Sequence, residues 1–176
     1  MLRRVLGGFA IALFLGAAMY TLETAIAAEA GKAVDYATTK PADLVASTPK
    51  GKIQNPYKDT QADIVAQGEH LYLSYGCNGC HGGGGGGGMC PPLTNDTWVY
   101  GGDDDTLFRL VTLGSDELQK AGYVRKGREP VVGPMPPFGA IVKSSDDLFK
   151  ILAFVRSRYS DNADPHYKFG APPEEQ

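Results

Sequence analysis

"GCNGCHGGGGGGGMCPPL", residues 76–93, carries all three cysteines of the chain, His81 and an unbroken run of seven glycines. Two residues separate Cys77 from Cys80, and His81 follows at once. Three is an odd count, so in an oxidising compartment either one thiol stays free or two are consumed by chemistry other than a disulfide. The glycine run has no side chains to pack and is costly to order. It reads as a flexible surface loop joining His81 to Met89. A phosphate cradle would need a preceding strand and a following lysine and Ser/Thr, and these are missing.

"CNGCH", Cys77–His81, is the c-type haem attachment pattern. Each thiol takes one vinyl group as a thioether, the two-residue gap matches the vinyl separation, and His81 then offers its imidazole to one axial face of the iron. A disulfide between Cys77 and Cys80, or half of a zinc site with His81 and Cys90, competes with this reading. Zinc sites usually show a second ligand pair at regular spacing, whereas only His70 and His166 remain. A haem also needs a second axial donor downstream. "VVGPMPPFGAI" supplies Met135 between prolines, which stiffen a loop and fix where the thioether points. Met89 lies too close to His81, and Met1 and Met19 belong to an N-terminal leader. A soft, neutral thioether favours Fe(II) and raises the potential. His81 and Met135 together therefore describe an electron carrier with both axial positions filled and no catalytic residues. The rival is a haem peroxidase, which needs an open or labile sixth position with acid/base groups beside it.

The chain has 176 residues, 43% hydrophobic and 21% charged, with a net charge of −3. This suits one soluble domain and shows no basic excess for nucleic acid. Arg3 and Arg4, an apolar stretch from Val5 to Leu22 and the triplet Ala25-Ile26-Ala27 form an export signal, with cleavage expected before Ala28. That puts the mature protein in the periplasm with no stable membrane insertion; an uncleaved anchor is the alternative. The expected organisation is a leader at 1–27, a partly ordered arm at 28–59, a haem domain at 60–160 and a tail at 161–176. Two amphipathic helices bracket the site. "TQADIVAQGEHLYLSY" has Thr60 as its expected cap and Ile64, Gly68, Leu71, Tyr72 and Tyr75 on one face. "SSDDLFKILAFVRSRY" has Ser144 as cap and Leu148, Ile151, Leu152, Val155 and Tyr159 as its stripe, widened by Phe149 and Phe154. A third, "DDTLFRLVTLG", is expected to be capped near Asp105 and ended by Gly114. No strand pattern and no repeat occurs. The fold class is all-α, with three or more helices around one covalently attached haem.

These features resemble the class I cytochrome c fold, in which a glycine and an aromatic of the first helix pack on the last. Gly68, Tyr72, Ile151 and Phe154 sit where that pattern asks. The family also places a proline–leucine pair after the haem histidine, which implies that the Pro92 carbonyl, ahead of Leu93, accepts a bond from the His81 ring. The stretch "GGGGGGGMCPPLTNDTWVYGGDDDTLFRLVTLGSDELQKAGYVRKGREPVVGPMPPFG" resembles the methanol-metabolism-related cytochromes c, and more distantly cytochrome c-L, with Leu93, Trp98 and Tyr100 among the shared residues. Members of the closer family usually carry a fourth cysteine. Here there are three, and Cys90 reads as an inert thiol against the haem pocket. The resemblance implies one haem c and a PQQ-dependent methanol dehydrogenase as donor, using a lanthanide or calcium. Acceptors would be a smaller cytochrome and, beyond it, an oxidase. An ethanol-type PQQ dehydrogenase is the alternative donor. Trp98 is expected to donate to a haem propionate or to fill core. Lys120, Arg125, Lys126 and Arg128 form a local basic cluster that steers an acidic partner, holds propionates or is simply solvated. Asp103–Asp105 could contribute to a Ca²⁺ site by the cytochrome c-L likeness, but their adjacency favours helix capping.

Overall fold

The structure, a computed structural model, describes residues 33–95, 98–127 and 133–158. The expected leader and tail, Tyr159 and Arg128 lie outside the described residues. The chain divides into two compact units, 1–34 and 35–176, and all that follows concerns the second. Among the described residues there is no strand. The helices are α1 (Pro41–Ser47), α2 (Ala62–Ser74), the single turn α3 (Asn78–His81), α4 (Asp104–Lys120) and α5 (Ser145–Ser157).

Capping explains where these helices begin. Ser144 Oγ accepts from the Asp147 amide at 3.1 Å, as the spacing predicts, and Asp146 and Asp147 complement the dipole of the first turn of α5. Thr60 does not cap α2. The helix starts after Gln61, whose side chain turns back to accept from the Lys58 amide. Asp105 does not cap α4 either. Asp103 does, accepting from Thr106 N at 2.8 Å, which leaves Asp104 and Asp105 to turn inward and be buried. Gly114 bends α4 but does not end it: its φ of 76° breaks the helical path, and a further turn runs on to Lys120.

α2 and α5 cross closely. A Cβ placed on Gly68 would lie 2.0 Å from the Lys150 carbonyl and 3.0 Å from Phe154 Cβ, so only glycine permits this approach. One turn on, the Tyr72 and Phe154 rings meet at a tilt of 54°, with centroids 5.1 Å apart. The core is built around this crossing from Tyr72, Leu148, Phe149, Ile151, Leu152 and Phe154, with Phe108 of α4 fully buried against Phe149 at 4.7 Å. At about 1.5–3 kcal/mol for each fully buried large side chain, this apolar contact is what holds the helices together.

Of the segment before Thr60, read from composition as an arm, residues 36–57 pack onto the helical core. Leu44 of α1 and Ile53 are 4% exposed. The Arg109 guanidinium donates to the Thr48 and Pro49 carbonyls at 2.6 and 3.1 Å, and pairs with Asp105 at 2.9 Å. Asp105 also accepts from the Ile53 amide, and Asp104 from the Asn55 amide at 2.9 Å. Arg156 of α5 pairs with Asp104 at 2.6 Å and donates to the Gly102 carbonyl. The buried charges thus serve to staple residues 45–55 onto α4.

Candidate functional site

Cys77 begins the single turn of α3, and its carbonyl accepts from the Cys80 and His81 amides. His81 closes that turn. Its Nδ1 lies 2.9 Å from the carbonyl oxygen of Pro91. Only an Nδ1–H can bond to a carbonyl, so the lone pair is left on Nε2, free to meet a metal. The resemblance placed this bond on Pro92; the acceptor is one residue earlier, and Pro92 instead lines the cavity beside it.

The glycine run is not a loose loop. The Gly87 amide donates back to the His81 carbonyl at 2.9 Å, and the Leu93 amide to Gly85 at 2.7 Å. The Cys90 amide donates to Cys80 at 3.1 Å, and a Cβ on Gly88 would lie 2.8 Å from that same carbonyl. Tyr72 adds a long-range tie: its hydroxyl donates to the Gly82 carbonyl at 2.7 Å. The run reads as flexible because sequence shows only missing side chains, whereas here the bare backbone is what packs.

Beside His81 lies a cavity of about 710 Å³, part of it open to solvent. His81 and Met135 both line it, as do Leu93, Trp98, Tyr100 and Leu110, so its wall is chiefly apolar. Met135 arrives from the proline-flanked loop that follows residue 132. Of the other expected site residues, Pro92 and Trp98 line the same cavity, while Cys77 and Cys80 do not. Cys77 packs instead against the core, and neither cysteine is in a disulfide. Trp98 is 7% exposed and its indole N–H donates to the Leu93 carbonyl at 3.2 Å, so it ties the wall together and that donor is not aimed at a propionate.

Cys90 also lines the cavity. Burial, and then the neighbouring Cys80 thiol, push its thiol up, which keeps it protonated and a poor nucleophile. Tyr72 is pushed up to about 12, by burial first and by Cys77 and Cys80 after it, so it remains a hydrogen-bond donor throughout the physiological range. Asp104 is raised by burial despite the lowering influence of Arg156. Among the described residues no three His, Cys, Asp or Glu side chains converge as a metal cluster, and the aspartates at 103–105 are taken up by the helix cap, Arg156 and Arg109. In the basic cluster, Lys120 pairs with Glu117. The Lys126 side chain runs over Gly101 on the cavity wall, and its amide donates to Val99.

Ser115 was not legible as a site residue. It lines the cavity, and its hydroxyl accepts from the Met135 amide at 2.6 Å. In the sequence it is only a serine after the glycine expected to end a helix.

The donors fit an iron porphyrin. They are an imidazole with its lone pair directed by a carbonyl, a soft thioether on the same apolar cavity, and two cysteines, Cys77 and Cys80, at the turn that carries the imidazole. Such a site defines a single-haem c-type cytochrome, with haem c held covalently. The chain belongs to the family described as cytochrome c oxidase, cbb3-type, subunit III, whose family model matches residues 62–155. It is 31% identical over 101 residues to the cbb3-type cytochrome c oxidase subunit CcoP of Rubrivivax gelatinosus. That alignment covers 57% of this chain but 27% of the relative, so the chain spans about a quarter of the curated protein it matches. Two solved structures are similar. Cytochrome cL of Hyphomicrobium denitrificans has 26% identity and a TM-score of 0.46, covering 72% of this chain and 67% of that one. Cytochrome cL of Methylophaga aminisulfidivorans has 22% identity and a TM-score of 0.45, covering 72% and 70%. Among the described residues no helix is long and apolar enough to cross a membrane.

Proposed function

We propose that this chain is a periplasmic single-electron carrier, exported by a cleaved leader at 1–27. It takes electrons from a PQQ-dependent methanol or related alcohol dehydrogenase and passes them through a smaller cytochrome towards an oxidase. The observation that carries the reading is that His81, from the α3 turn, and Met135, from the proline-flanked loop, reach one apolar cavity. The bound haem would supply one-electron exchange. The protein's part is to hold both axial donors, which leaves no open position for peroxide chemistry. Pro91 orients the His81 ring through the bond to its Nδ1. Leu93, Trp98 and Tyr100, which carry the resemblance to the methanol-related cytochromes, line the same cavity and make its wall apolar. Low dielectric there and a neutral thioether both favour the reduced state. Lys126, beside Gly101, is placed to steer an acidic donor surface.

A second reading comes from the relative in Rubrivivax gelatinosus, a subunit of a cbb3-type oxidase. In that case the chain delivers electrons directly to such an oxidase. Stopped-flow mixing separates the two. The oxidised holoprotein is mixed with reduced PQQ alcohol dehydrogenases of the lanthanide and calcium types. The proposal expects second-order reduction by at least one enzyme, slowing as ionic strength rises. No reduction by either enzyme, with ready reoxidation by a cbb3-type oxidase after chemical reduction, would replace it with the second reading.

A further inference from the structure

We infer that Ser115, at the kink of α4, is the positioning residue that fixes the Met135 thioether. The inference rests on Met135 being an axial ligand. Three backbone-directed bonds join the segments: the Met135 amide donates to Ser115 Oγ at 2.6 Å, and the Met135 carbonyl accepts from the Ser115 amide at 3.0 Å and, more weakly, from the Ser115 hydroxyl at 3.4 Å. Ser115 is 6% exposed, so none of these bonds is lent out to solvent. The kink is what makes this possible. In a continuous helix the Ser115 amide would bond to the carbonyl four residues back. Gly114, at φ 76°, turns that amide outward to the methionine loop.

The fit at Gly114 is tight from the other side. A Cβ there would lie 2.7 Å from the Met135 carbonyl oxygen, 2.9 Å from Pro137 N and 3.1 Å from Pro136 C. Two further bonds continue the seam, Phe138 N to the Val111 carbonyl at 2.8 Å and Gly139 N to Thr112 at 3.0 Å. Prolines on both sides of Met135 remove the amides that might otherwise have held the loop. Met135 therefore contributes the one amide of the Pro134–Pro137 stretch, and Ser115 takes it. The α4 kink thus acts as a clamp: it sets how far the sulfur reaches into the cavity and how readily it leaves the iron.

The test is competition by exogenous imidazole for the sixth position of the oxidised full-length holoprotein, followed in the visible spectrum. Ser115→Ala removes the acceptor of the Met135 amide and leaves that amide half-buried without a partner. We expect imidazole to bind roughly tenfold more tightly than to wild type, and the midpoint potential to fall. Ser115→Thr keeps the hydroxyl and is expected to return the affinity to within about twofold of wild type. Equal haem content and far-UV circular dichroism confirm that the variants are folded. If Ser115→Ala binds imidazole within about twofold of wild type, while wild type carries the methionine-ligated spectrum, the clamp is wrong and the ligand assignment stands. If wild type lacks that spectrum, the ligand reading itself fails, and the clamp with it.

Discussion

The cavity and the buried network behind it use opposite chemistry. The cavity presents neutral donors, His81 and Met135, in an apolar wall. The network concentrates formal charge, with Asp104, Asp105, Arg109 and Arg156 all less than a tenth exposed. Those charges are consumed in pairs and in bonds to backbone, so they hold residues 45–55 in place without facing the cavity donors. The contrast teaches that stability and the proposed iron ligation fall to separate parts of the molecule. α4 shows this within one element: Asp104, Asp105 and Arg109 serve the network, and Ser115 serves the cavity.

Arg109→Ala is the hardest test of that separation. It leaves the buried Asp105 carboxylate without its counter-charge and takes a donor from the Thr48 and Pro49 carbonyls. Loss of one partner from a buried pair is expected to cost about 3–5 kcal/mol in denaturant unfolding. The visible spectrum of the folded fraction should be unchanged; a spectrum altered in its axial ligation would break the comparison.

Tyr72→Phe probes a helical side chain that reaches from the core to the turn after His81. It keeps the ring contact with Phe154 but loses the bond to the Gly82 carbonyl. Urea unfolding should show a loss of about 1 kcal/mol. Because that carbonyl follows His81 directly, a small shift in midpoint potential should accompany it, which Arg109→Ala should not produce.

The smallest effect belongs to an ion pair that serves neither region. Asp146 pairs with Lys150 and accepts from the Tyr57 hydroxyl. Burial works to raise its carboxyl, but the bonds from Lys150 and Tyr57 outweigh it and hold the group below its ordinary 3.8. A carboxyl depressed in the folded state adds stability that is present above the ordinary value and is lost as pH falls through the lowered one. Asp146→Asn should therefore lower Tm slightly at pH 7, and the gap to wild type should close in strongly acid solution. A gap that persists there would assign the effect to packing.

Much of this was legible from residue spacing. The attachment turn announces itself because its chemistry is local, with thiols and imidazole inside five residues. Gly68, Tyr72 and Phe154 follow from helical periodicity and from a glycine where a helix would prefer alanine. Met135 stands out through its prolines. What sequence does not carry are bonds between distant side chains and backbone. Arg109 finds carbonyls some sixty residues away, which no pattern of charges encodes, so residues 45–55 read as an arm. The carbonyl facing the His81 ring belongs to Pro91 and not Pro92, because adjacent prolines are indistinguishable until the Cys80–Cys90 contact sets the register. Gly114 reads as a stop, since a glycine that ends a helix and one that turns it look alike.

The central claim is that one iron is held between His81 and Met135. Proton NMR of the reduced holoprotein, wild type beside Met135→Ala, tests it most directly, because a methionine methyl lying over a haem ring is displaced far upfield. The account predicts such a resonance in wild type and its loss in Met135→Ala with covalent haem retained. The same resonance in both proteins would assign the ligand to another methionine, and its absence from both would contradict thioether ligation altogether.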